Sequence, residues 1–141
     1  MKKSSIILAF LLSSGLYAQS ILGTWKSIDE ETNKEESFIE IYEENGAFYG
    51  KVLQVLDPKK KDAVCEKCKG QDKNKPIEGL IIIKGLIQDK NEWSGGTILD
   101  PKNGKTYKCT ITVPTKNTMK LRGYVGFSVF GRTATWYRVK E

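Results

Sequence analysis

Past residue 18 the apolar positions of this chain recur with a period of two, and almost nowhere with the period of a helix. Short runs rich in β-branched and aromatic residues alternate with clusters of turn-forming residues. LGTWKSI (22–28) predicts a first strand and SFIEIYE (37–43) a second. Asn45-Gly46 then sits between two such runs, and both residues accept positive φ cheaply, so a tight hairpin leads into a third strand. A polar loop over 57–78 follows. Five more strands are expected at 80–87, 92–99, 105–113, 118–125 and 133–139. Their first three separators, QDKN, DPKNG and PTKN, carry good turn chemistry; the fourth is GFSVFGR. About eight strands joined mostly by short turns predict an all-β, antiparallel, up-and-down barrel.

Alternation within the strands assigns faces. In KTYKCTITV, Tyr107, Cys109, Ile111 and Val113 share the apolar side. In TMKLRGYV, Met119, Leu121 and Val125 point inward, with Arg122 and Tyr124 outward, unless a bulge at Gly123 reverses the register. Glycines 50, 85, 95, 96 and 123 fall inside strands, where a small barrel needs bends.

The opening MKKSSIILAFLLSSGLYA has a charged start, a short apolar run and a small residue at Ala18. That is the layout of a secretory signal peptide cleaved after Ala18, and the apolar run falls short of the ~20 residues that span a bilayer. The remainder, 19–141, suits one domain in the periplasm or outside the cell. No transmembrane segment is expected in it, although contact with a membrane surface stays open. The chain has 23 Lys and Arg against 17 Asp and Glu, a formal charge of +6. Those charges are interspersed, which points to a solvated surface and away from nucleic acid.

Histidine is absent, which removes Ser-His and Cys-His pairs, histidine bases and histidine metal ligands. The chemistry left is thiol, carboxylate, lysine and tyrosine. In CEKCKG, Cys65 and Cys68 have three readings: a redox dithiol, half of a zinc site, or a structural disulfide. A redox dithiol belongs at a helix N-terminus, and a zinc site needs four ligands. Only Cys109 remains to help, on the core face of a strand. A disulfide that tightens the long loop fits an exported chain best. DPKNGKTY brings an acid, an amide and a phenol close together, but a tight turn accounts for it, so no catalytic residue, metal or cofactor is expected. RGYVGFSVFGRTATWYR is denser. Its aromatics and guanidiniums suit either barrel closure or an anionic amphiphile.

ILGTWKS resembles the Gly-x-Trp opening strand of lipocalins and fatty-acid-binding proteins. That resemblance implies that Trp25 closes one end of the barrel under an arginine, Arg138 or alternatively Arg122. GTWK, IEIYEENGAFYGKV, CEKCKG, KPIEGLIIIKGL, GGTILDPKNGKTYKC and LRGYVGFSVFGRTATWYRV, in that order, resemble the bacterial family called domain of unknown function 2147. Its members are secreted envelope proteins of unestablished role, which implies a lipocalin-like barrel and no assigned catalytic residues. The leading expectation is non-enzymatic binding of a small apolar or amphiphilic ligand, with Trp25, Arg122, Tyr124, Arg132, Trp136 and Arg138 as candidate contacts. An envelope interaction module with a filled barrel is the alternative, and a thiol-redox or metal-binding protein comes third.

Overall fold

A computed structural model describes residues 19–127 and 131–140. The expected signal peptide lies outside the described residues. Eight strands form a closed barrel in which each pairs antiparallel with its sequence neighbours and the last pairs with the first. They are β1 Gly23–Ile28, β2 Glu35–Glu44, β3 Ala47–Val55, β4 Ile81–Asp89, β5 Glu92–Asp100, β6 Lys105–Thr115, β7 Thr118–Tyr124 and β8 Gly131–Arg138. One 3₁₀ turn, Gly70–Asp72, interrupts the β3–β4 loop. The up-and-down barrel read from the periodicity is the observed fold.

Asn45 and Gly46 both take positive φ, 52° and 82°, so the β2–β3 hairpin turns as its sequence requires. Period two holds along the strands: Ile39 and Ile41, Cys109 and Ile111, Met119 and Leu121 are all buried. Bends arise where expected at Gly85 and Gly95, both at positive φ, while the β6–β7 register runs unbroken through Gly123. One inward assignment needs correcting. β7 ends at Tyr124, and Val125, freed from the alternation, is 65% exposed.

Antiparallel order puts the β2–β3, β4–β5 and β6–β7 turns at one end with the chain's entry and exit. The four longer connections gather at the other end. The first end is solid. Trp25, Trp93, Leu86, Ile111 and Met119 are each no more than 2% exposed there, and Phe48 meets Trp93 edge-on at 6.3 Å. Trp93 Nε1 has no hydrogen-bond partner among the described residues.

The seam between β1 and β8 is short, pairing Trp25 with Arg138 and Lys26 with Tyr137. Arg138 makes up the difference. Its Cζ lies 4.2 Å from the Trp25 ring centroid, and its guanidinium donates to the carbonyls of Ser20 (2.7 Å), Leu22 (2.7 Å) and Lys116 (2.8 Å). The Trp25 indole in turn donates to the Ile21 carbonyl at 2.8 Å. Gly23 is needed because its φ is +118° and a Cβ would stand 3.0 Å from Arg138 Nη1.

Arg138→Ala removes a cation–π contact and strands three carbonyls, so it should lower unfolding stability by about 2–3 kcal/mol. Arg138→Lys, which cannot fork to three acceptors, should recover less than half of that. Urea melts of the three proteins measure both effects.

Candidate functional site

Above the solid base the barrel is hollow. A cavity of ≈1130 Å³ opens among the longer connections. Its deep wall is apolar: Ile39, Val52, Ile82, Leu121, Ala134 and Trp136 point in from five different strands. The one buried polar side chain in that wall among the described residues is Ser27, whose hydroxyl reaches the Ser37 carbonyl only at 3.5 Å. Charged groups stand at the rim.

Two ties hold the rim in shape, and both run through the β5–β6 turn. The first is electrostatic. Lys102 Nζ lies 3.0 Å from Asp29 Oδ2 on the β1–β2 loop and 2.5 Å from Glu36 Oε1 at the start of β2. Asp29 Oδ1 also accepts the backbone N–H groups of Glu31 (2.8 Å) and Thr32 (3.0 Å). The Thr32 N–H and then the Lys102 ammonium hold the Asp29 carboxyl far below its ordinary 3.8. For Lys102, partial burial works against the charge, but hydrogen bonds to Glu36 and Asp29 outweigh it and the pKa rises.

The second tie is covalent and steric. Cys65 and Cys68 are joined in a disulfide, as expected, although both are buried (0% and 3% exposed) despite the polar composition around them. The loop folds back on itself through Cys65 N–H to the Lys75 carbonyl, Asn74 N–H to the Cys65 carbonyl and a bridge between Val64 and Pro76. It then leans on the β5–β6 turn, with Cys65 Sγ 3.7 Å from the Pro101 carbonyl oxygen. Gly104 is the notch that receives it. Its φ is +71°, and a Cβ there would stand 1.9 Å from the Lys67 carbonyl oxygen. Pro58, Ala63 and Ile77 of this loop form part of the cavity rim.

The six candidate contacts divide three ways. Tyr124, Arg132 and Trp136 line the cavity. Arg132 is at the exposed rim, its Nε 3.7 Å from Glu30 Oε2. Trp25 and Arg138 lie at the closed end, where they pack the base and clamp the seam. Arg122 is on the outer face, with Nη1 donating to Thr133 Oγ1 at 2.9 Å across the β7–β8 pair. Lys102, Asp29 and Glu36 were not singled out from the sequence. Asp100, Asn103 and Tyr107 of DPKNGKTY do meet at the rim, but in turn roles: Asp100 Oδ1 accepts the Lys102 N–H (2.9 Å), and Asn103 Nδ2 donates to the Tyr107 hydroxyl (3.0 Å).

Thiol chemistry has little footing here. Burial pushes the Cys109 thiol up to about 12, so it carries almost no thiolate at neutral pH. Among the described residues no group of three His, Cys, Asp or Glu side chains is placed to hold a metal ion.

Residues 23–138 match the family described as "Uncharacterized protein conserved in bacteria (DUF2147)". The chain belongs to that family. Among solved structures, this DUF2147 barrel is similar to one described as "Protein HP1028 from the human pathogen Helicobacter pylori belongs to the lipocalin family", with a TM-score of 0.77. The two are 22% identical over 86% of this chain and 84% of that one, a likeness of fold. No curated protein matches the chain.

Two expectations follow for the rim of the DUF2147 barrel. Gly104→Ala should lift the loop from its notch, and dithiothreitol should then reduce Cys65–Cys68 at least about tenfold faster, read by thiol trapping. Asp29, with its folded pKa lowered, adds stability that is complete above about pH 4 and is lost as pH falls toward the folded value. The gap in melting temperature between the native protein and Asp29→Asn should therefore stay constant from pH 5 to 8 and shrink between pH 4 and 2.

Proposed function

We propose that this DUF2147 protein is exported to the periplasm or beyond and binds a small apolar or amphiphilic molecule in its barrel, without catalysing a reaction. The observation that carries this reading is the ≈1130 Å³ opening with an apolar deep wall and a charged rim. An apolar chain placed in it gains about 0.8 kcal/mol for each methylene removed from water. A ligand of ten or so carbons gains about 8 kcal/mol in this way, which exceeds the roughly 4 kcal/mol at the low end of the cost of association. The hollow upper half does not fit the filled-barrel alternative. A redox role has weak support, since the disulfide is buried against the β5–β6 turn and Cys109 is buried. Export is supported by the N-terminal sequence pattern together with the disulfide, which persists in oxidising compartments.

N-phenyl-1-naphthylamine, a neutral apolar fluorophore, should bind saturably and brighten. Ala134→Trp places an indole in the lumen and should weaken that binding at least about tenfold, while circular dichroism still reports a folded barrel. Failure of the native protein to saturate, or equal binding by the variant, would sink ligand binding in the barrel.

A further inference from the structure

Beside the mouth lies a second concavity of ≈500 Å³, outside the barrel wall, between the disulfide loop and the start of β6. Three exposed lysines line it: Lys67 and Lys69 from the loop and Lys105 from β6. Its one carboxylate, Asp72, is already committed to Lys75 (3.3 Å) and Lys84 (3.7 Å). Among the described residues no acid is within ion-pair reach of Lys67, Lys69 or Lys105. The rim of the barrel differs, because Lys102 and Arg132 there have acidic neighbours.

The groove and the barrel cavity adjoin. Leu99, Asn103, Tyr107 and Val125 line both. Val125 is 65% exposed at that boundary, an apolar step between a cationic hollow and an apolar one. The disulfide fixes the spacing, since Cys68 lines the groove between Lys67 and Lys69, while Gly104 seats the same segment against the turn that leads into Lys105.

We propose that the ligand is a single-chain amphiphile with an anionic head, a phosphate, sulfate or carboxylate. Its chain enters the barrel, and its head crosses the Val125 step into the groove of Lys67, Lys69 and Lys105. This rests on ligand binding in the barrel and adds the headgroup and its site. Lysine ammoniums on flexible stems suit such a head as point charges without demanding one geometry. Three of them lining one concavity make a local positive field that a neutral head does not exploit.

Displacement of N-phenyl-1-naphthylamine by dodecyl phosphate and by 1-dodecanol, both below aggregation, tests head and chain separately. The native protein should prefer dodecyl phosphate by about tenfold in low salt, and 0.5 M NaCl should erase most of that preference. The triple variant Lys67→Ala, Lys69→Ala, Lys105→Ala should bind both compounds as the native protein binds dodecanol. Equal native affinity for the two compounds overturns the headgroup site and leaves barrel binding standing. So does a preference that survives in the triple variant. If neither compound displaces the probe, barrel binding fails as well. With phosphatidylglycerol vesicles the protein should stay in the supernatant; co-sedimentation that the triple variant loses would make the lysines a bilayer contact and overturn the proposal.

Discussion

A β-barrel is stable only if its last strand returns to its first, and here that return is narrow. β1 is six residues long and meets β8 at two paired positions. Backbone pairing alone would leave the seam weak and one end of the barrel open to water. Arg138 answers both problems, since it covers the Trp25 ring and gathers carbonyls from Ser20, Leu22 and Lys116. Those carbonyls belong to the segment entering β1 and to the β6–β7 turn, so one side chain ties three parts of the closed end. Burial lowers the pKa of its guanidinium, yet the group keeps its charge at any ordinary pH. With the base packed by Trp25, Trp93 and Phe48, the cavity lies at the other end.

That open end is organised around the β5–β6 turn. Its Lys102 reaches to the β1–β2 loop, its Pro101 and Gly104 receive the disulfide loop, and its Asn103 steadies Tyr107. A mouth built from long connections would ordinarily be its least ordered part. Here each connection made of described residues, apart from the one after β7, is tied to a single short turn that Asp100 itself braces. The cavity's outline is therefore set by a few contacts distant in sequence.

Most of the fold could be read from the residues because its determinants are local. Period-two alternation, the Asn45-Gly46 turn and the polar separators each specify structure within a few positions. The assignments that slipped depend on where a strand stops or on partners far away. Val125 continues the inward alternation of Met119 and Leu121 in sequence, but the strand ends one residue earlier. Asp29 and Lys102 lie 73 positions apart, and neither stretch carries a sign of the other. The crowded arginines of the C-terminal run look alike in sequence, whereas pairing places Arg122 outside, Arg132 at the rim and Arg138 at the base. The burial of Cys65 and Cys68 was hidden for a similar reason: the surface that covers them belongs to Pro101 and Gly104.

The distribution of charge decides what the barrel can discriminate. In the proposed binding mode, affinity for an apolar chain would come from the aliphatic wall, and that term is nearly indifferent to the identity of the head. At the rim, Lys102 is neutralised by Asp29 and Glu36, so converting it into an anion receptor would mean breaking two ion pairs. The lysines beside the disulfide carry no such penalty, because Asp72 is engaged by Lys75 and Lys84. Selectivity therefore has a cheaper source in the groove than in the mouth. The loop that carries Lys67 and Lys69 is also the one the disulfide and Gly104 hold still. Preorganised charge binds an anion better than charge on a mobile loop, since less ordering entropy is lost on contact. The disulfide of CEKCKG thus bears on the proposed headgroup site: its cysteines fix the position of the lysines between and after them.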